Sequence, residues 1–127
     1  MADIYKINTA KAPEPIGPYS QGVQAGGFVF CSGQIAIDPG TGKLTGETAG
    51  EQTEQVCKNI TAILEAVGLS FSHVVKATAF LVNSGDFVLF NNVYEKYFTS
   101  SPARSCVFVS ALPKNALVEI EIIALNR

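Results

Sequence analysis

Pro102-Ala103-Arg104-Ser105-Cys106-Val107-Phe108-Val109 brings an arginine to the entry of a long apolar run. Nine positions beyond Val109 a second strand-like run begins, Val118-Glu119-Ile120-Glu121-Ile122-Ile123. Both segments read as core strands, so an arginine and a glutamate fall within or beside them. A charge buried alone is costly, and each of these needs a partner or a ligand. A site for a small anion is therefore the first expectation.

The chain has 127 residues, enough for one domain, 1–127, with a real core. Apolar residues make up 47% and charged residues only 16%, so part of the surface is expected to be buried between subunits. Nine Lys plus Arg stand against eleven Asp plus Glu, for a net charge of −2. The lysines are spread along the chain, and no basic cluster exists to neutralise a phosphate backbone. That argues against a nucleic-acid module. Cys31, Cys57 and Cys106 are an odd count without metal-type spacing and read as reduced, buried thiols. The stretch Met1-Ala2-Asp3-Ile4-Tyr5-Lys6 lacks a hydrophobic signal segment, and no apolar stretch is long enough to cross a membrane. A cytoplasmic protein is expected, with a mitochondrion or other organelle left open.

Three prolines in Pro13-Glu14-Pro15-Ile16-Gly17-Pro18 forbid helix and favour a turning path. Strands are expected at 20–25 and 28–32, joined by a tight turn at Gly26-Gly27, with 34–37 extending the sheet. Thr48 with Glu51 fits a capping box. Val56, Ile60, Ile63, Leu64 and Val67 then form one helical face that Gly68 terminates. A strand at 74–82 follows, then a helix capped by Ser84 or Asp86 and running through Phe98. Its stripe of Phe87, Phe90, Val93, Tyr94, Tyr97 and Phe98 reads as core. Strands at 104–109 and 117–125 close the order β, β, β, α, β, α, β, β. Two long helices can cover one face of such a sheet, and oligomerisation would cover the other.

His73 is the sole histidine, so a metal cluster or catalytic triad would have to be built around it alone, and a structural or surface role is expected. No phosphate-binding glycine motif is present. Arg104 offers a rigid fork of donors suited to a carboxylate, or else a structural ion pair with Glu119 or Glu121. The two glutamates share one strand face, with Ile120 pointing the other way. Tyr19 and Ser32 carry hydroxyls that could hold a ligand or a water, or serve as ordinary polar residues.

Five blocks resemble the RidA/YjgF family of small trimeric proteins. They are Ile16-Gly17-Pro18-Tyr19-Ser20-Gln21, Cys31-Ser32-Gly33-Gln34-Ile35, Asn91 with Tyr94, Pro102-Ala103-Arg104-Ser105-Cys106-Val107, and Ala111-Leu112-Pro113 with Val118-Glu119-Ile120-Glu121. The resemblance implies a chorismate-mutase-like α+β fold, a mixed β-sheet with two helices packed on one face. It also implies a homotrimer with clefts between neighbours. The implied activity is hydrolysis of enamines and imines such as 2-aminoacrylate, 2-iminobutanoate and 2-iminopropanoate to 2-keto acids and ammonia. The ligand would be a small carboxylate-bearing imine, enamine or 2-keto acid, with no metal or organic cofactor. By the same resemblance Arg104 clamps the carboxylate and Glu119 positions or activates the attacking water. Tyr19, Ser32, Gly33 and Asn91 line the cleft, and Cys106 lies near the imine through its backbone carbonyl. A ribonuclease or translation inhibitor is the alternative, as is a non-catalytic carboxylate-binding or chaperone-like trimer. One departure concerns Phe98-Thr99-Ser100-Ser101, a short loop with Ser101 where the family often has an aromatic residue. It bears on substrate preference.

Overall fold

Thr48 opens the longer helix, α1 (Ala49–Glu65), with the expected capping box. Its hydroxyl accepts from the Glu51 N–H at 3.1 Å, and the Glu51 carboxylate accepts from the Thr48 N–H at 3.2 Å. Val56, Ile60, Ile63 and Leu64 are fully buried along one stripe. Gly68, at φ +75°, takes the left-handed conformation that lets the chain turn away. This computed structural model describes residues 3–126; Met1, Ala2 and Arg127 lie outside them.

The second helix, α2 (Phe87–Tyr97), follows a 3-10 turn at Ser84–Asp86. Asp86 sits at the cap position, but its side chain makes no capping bond, so the expected cap is absent. Phe90 and Tyr94 are buried against α1 and the sheet, whereas Phe87 stays exposed.

Six strands form one mixed sheet: β1 (Tyr5–Ile7), β2 (Gly22–Ala25), β3 (Phe28–Gln34), β4 (Val74–Leu81), β5 (Ala103–Phe108) and β6 (Val118–Leu125). Their order is β1-β2-β3-β6-β4-β5. Only β4 and β5 pair in parallel, with α2 in the connection between them. Gly26 and Gly27 turn the β2–β3 hairpin with φ of +57° and +82°, conformations that disfavour side chains.

The expected element order is right in its letters but not in its members. The first strand is β1, three residues too short to show a period. Of the expected 34–37 extension only Gln34 stays in the sheet, paired with Ile120, and residues 35–37 leave it. The β3–β6 register breaks between Cys31 and Gln34. Beyond Gln34, Asn59 of α1 donates to the carbonyls of Ile35 and Ile37 at 3.2 and 2.9 Å. A helix side chain thus satisfies backbone groups that a neighbouring strand would otherwise take.

A second correction concerns Arg104. β6 is a central strand, but β5 is an edge strand paired with β4 alone. Arg104 is exposed there, with Cys106 the one half-buried residue of β5. Its charge is therefore solvated, and the need for a partner argued from burial does not arise.

Alternation along the strands separates two faces. Val29, Cys31, Ala77, Ala79, Leu81, Val118, Ile120, Ile122 and Ala124 are buried beneath the helices. The opposite face carries Phe28, Phe30, Thr78, Phe80, Val107, Glu119 and Glu121, with no helix over it among the described residues. Phe28, Phe30 and Val107 are 38%, 42% and 42% exposed, large apolar groups that ordinarily seek cover.

Candidate functional site

The candidate residues fall into two groups, each held by different elements. The first surrounds Glu119 on β6. Its carboxylate lies over Gly33 of β3, and a Cβ built at Gly33 would stand 2.2 Å from Glu119 Oε2. What glycine provides here is room for this close approach and not a special dihedral, because its φ is outside the left-handed region. Tyr19, Ile16, Pro13, Gln34, Ile35 and Pro113 wall the cleft around this pair. Glu119 is half-buried, and its carboxyl is pushed above the ordinary value, first by burial and second by the charge of Glu121.

The proline-rich strap reaches this cleft because Gln21 pins it. The buried Gln21 amide donates to the carbonyls of Thr9, Ala12 and Pro13 at 3.0, 3.2 and 2.9 Å. Its oxygen accepts from the Thr9 N–H at 2.8 Å. Tyr19 stays exposed, its hydroxyl accepting from the Ile16 N–H at 3.2 Å. Ser32 does not share the cleft. Its hydroxyl donates to the Ser20 carbonyl at 2.5 Å, and it lines an adjoining depression with Phe30, Cys31 and Glu121.

The second group surrounds Arg104 on β5. One guanidinium nitrogen, Nη1, donates to Asn91 Oδ1 at 2.8 Å. The guanidinium carbon lies 4.8 Å from the centre of the Tyr94 ring, 5.7 Å from Phe90 and 5.8 Å from Phe87. Tyr94 stacks on Phe98 at 3.9 Å and 8°. The Tyr94 hydroxyl is buried and has no hydrogen-bond partner among the described residues. Burial pushes it up to about 12, against the lowering charge of Arg104. Burial likewise pushes the Cys106 thiol up, again opposed by Arg104, so this thiol stays protonated at neutral pH.

Register places the two groups on opposite faces. Arg104 pairs with Ala77, which is buried under the helices, whereas Glu119 pairs with Phe80 on the uncovered side. Within one chain the arginine and the glutamate do not meet, and the structural ion pair left open by the sequence is not formed. Glu119 and Glu121 do share a face, as their spacing requires. His73 is structural: its Nδ1 accepts from the Ser70 N–H at 3.1 Å. The short loop before Pro102 is tight, with Ser101 at φ +53° and its N–H donating to the Phe98 carbonyl at 3.2 Å.

Sequence reading missed the aromatic floor beneath Arg104. Its signal was present: Phe87, Phe90, Asn91 and Tyr94 recur at i, i+3, i+4 and i+7, so the amide and three rings share one helix face. The stripe was assigned to the core, which holds for Phe90, Tyr94 and Phe98 but not for Phe87.

Comparison with known proteins finds a match between residues 9–126 and the family model described as Endoribonuclease L-PSP. A RutC family protein of Pyrococcus horikoshii is 53% identical over 119 residues, covering 93% of this chain and 94% of the relative. The Arabidopsis thaliana protein named Reactive Intermediate Deaminase A, chloroplastic, is 50% identical over 119 residues, covering 93% of this chain and 64% of its own. Among solved structures, E. coli TdcF with bound serine superposes with a TM-score of 0.90 at 41% identity, covering 96% of this chain and 98% of that one.

Proposed function

The chain belongs to the endoribonuclease L-PSP family, which takes in the Rid proteins it resembles in sequence, and on that premise we propose that it hydrolyses small 2-imino and 2-enamino acids to 2-keto acids and ammonia. The observation that carries this reading is the state of Arg104. It is exposed and held by one amide and three rings, and among the described residues no carboxylate forms an ion pair with it. Its remaining donors suit a planar carboxylate, as charge-assisted bonds in a fixed fork. TdcF was solved with serine, itself a small carboxylate.

In this reading the substrate carboxylate binds Arg104, and Glu119 takes a proton from a water that attacks the imine carbon and returns that proton to the imine nitrogen. The resulting carbinolamine passes its hydroxyl proton to nitrogen as the C–N bond breaks. Water and imine are consumed, and keto acid and ammonia leave. Tyr19 and Gly33 line the same cleft as Glu119, Asn91 supports Arg104, and Cys106 acts through its backbone rather than its protonated thiol. Ser32, beside that cleft, holds the Ser20 carbonyl in place. Neither a metal nor an organic cofactor enters these steps. Composition speaks against RNA as substrate: with a net charge of −2 and two glutamates on the uncovered sheet face, phosphate would be repelled. Cys31, Cys57 and Cys106 are free thiols, which fits the cytoplasm or a reducing organelle.

The two half-sites require assembly. Arg104 and Glu119 lie on opposite faces of one sheet, so a site that uses both is completed by a neighbouring copy. The apolar face of Phe28, Phe30 and Val107 supplies the surface for such an assembly. We propose a homotrimer. Sedimentation at micromolar concentration should give three times the 13.5 kDa chain mass, and a stable monomer would overturn both the assembly and the shared site.

The direct test is Arg104→Lys assayed with freshly generated 2-aminoacrylate. Lysine keeps the charge but loses the fork. We expect kcat/KM to fall about 10- to 100-fold, the worth of one or two charge-assisted bonds. The melting temperature should hold, because no buried ion pair is broken. A folded Arg104→Lys protein with undiminished kcat/KM would refute the clamp. A wild-type protein that binds 2-oxobutanoate yet never releases ammonia would leave only the carboxylate-binding reading.

A further inference from the structure

We propose that Tyr94 is the positioning residue of the Arg104 clamp. Its ring, with those of Phe90 and Phe87, fixes the plane of the guanidinium so that donors not engaged by Asn91 face the substrate carboxylate. The inference rests on the deaminase reading for its ligand, but its structural basis is independent of it. An exposed arginine on an edge strand has many rotamers, and one hydrogen bond to Asn91 does not define the plane of its head group. Three rings within 5.8 Å of the guanidinium carbon do. Of the three, the Tyr94 ring is nearest at 4.8 Å. It is also braced from behind by its stack on Phe98, a side chain only 3% exposed, and by Phe90 at 5.3 Å. The platform is therefore part of the rigid core, while the group it carries stands at the surface.

The Tyr94 hydroxyl sharpens the assignment. It is buried and meets no partner at hydrogen-bond distance among the described residues, although it lies close enough to the Arg104 guanidinium to be influenced by it, so ring and hydroxyl have to be separated by substitution. What Tyr94 gives Arg104 is the face of its ring. Phenylalanine at this position should then do the same work, and an aliphatic residue should not.

The test combines binding of 2-oxobutanoate by calorimetry, turnover, melting temperature, and the NMR shifts of the Arg104 side-chain protons. In the wild type those protons should be shifted upfield by ring currents. Tyr94→Leu should lose the shift and weaken 2-oxobutanoate binding about tenfold, with KM rising more than kcat falls. Tyr94→Phe should restore both the shift and the affinity. A loss of general packing would lower the melting temperature of the leucine variant but would not produce this division between KM and kcat. If Tyr94→Leu does not fold, Phe87→Leu removes an exposed ring and should still weaken binding about threefold. The proposal is overturned by unshifted Arg104 protons in the wild type, by a folded Tyr94→Leu with unchanged affinity, by Tyr94→Phe binding as poorly as Tyr94→Leu, or by unchanged affinity in Phe87→Leu. A wild-type protein that neither binds nor turns over the ligand sinks the deaminase reading instead, and the NMR comparison then decides the role of Tyr94 on its own.

Discussion

Glu119→Gln should lower turnover by about 10²- to 10⁴-fold, the range for a lost general base, while the fold stays as stable at neutral pH or becomes more so. The two halves of this expectation come from one cause. Burial, and then the charge of Glu121, raise the Glu119 carboxyl above its ordinary value of 4.5. A raised carboxyl holds its proton more tightly in the folded state than in the unfolded chain. The stability it contributes is present below the unfolded value and is lost as pH rises through the folded one. Wherever it is ionised in the folded state the group therefore weighs against the fold, and glutamine removes that penalty. The same shift makes the carboxylate a stronger base toward water. The acid limb of the kcat/KM profile should accordingly lie above 4.5, and Glu121→Gln should move it down by removing the second cause. Thermal melts and pH–rate profiles of both variants decide the matter. A Glu119→Gln protein that melts early yet keeps full activity per folded molecule would make Glu119 a structural residue.

The parts of this molecule legible in its sequence are those set by local physics. Thr48 and Glu51 mark the start of α1 because both halves of a capping box lie within four residues. Gly26-Gly27 marks its hairpin because few other residues accept two consecutive positive φ values. The spacing of Glu119 and Glu121 gives their common face, because strand periodicity acts within one strand. Failures begin where partners are distant. Whether Arg104 stands at an edge or in the centre depends on which strands flank β5, and only β4 does. Whether Arg104 and Glu119 share a face depends on two successive registers, β5 on β4 and β4 on β6, and a slip of one residue in either reverses the answer. The aromatic stripe of α2 shows the same limit. Its period gives a face, but the arginine that the face carries comes from another element, ten or more residues away. β1 and residues 35–37 fail for a related reason: three residues carry too little periodicity to separate a strand from a loop held by Asn59.

Gly33→Ala should reduce turnover about 100-fold without unfolding the protein, the effect of displacing a catalytic group by about an ångström. The added methyl would stand 2.2 Å from Glu119 Oε2 and 2.8 Å from its carboxyl carbon, closer than real Cβ atoms come. Backbone strain is not the issue, because Gly33 does not use the left-handed region. What yields is the end of a half-exposed side chain, so Glu119 swings away and the fold remains. Gly85→Ala is the control, since nothing lies within 4 Å of its added Cβ, and it should keep full turnover. The double variant Gly33→Ala, Glu119→Gln isolates the mechanism. If alanine acts only by moving the carboxylate, the double variant should be no slower than Glu119→Gln alone, because the group to be displaced is already chemically inert. If the two losses multiply instead, Gly33 serves the site by some route other than Glu119. If Gly33→Ala is folded and fully active, the carboxylate does not need the place it occupies over Gly33, and its assignment as the base fails with it.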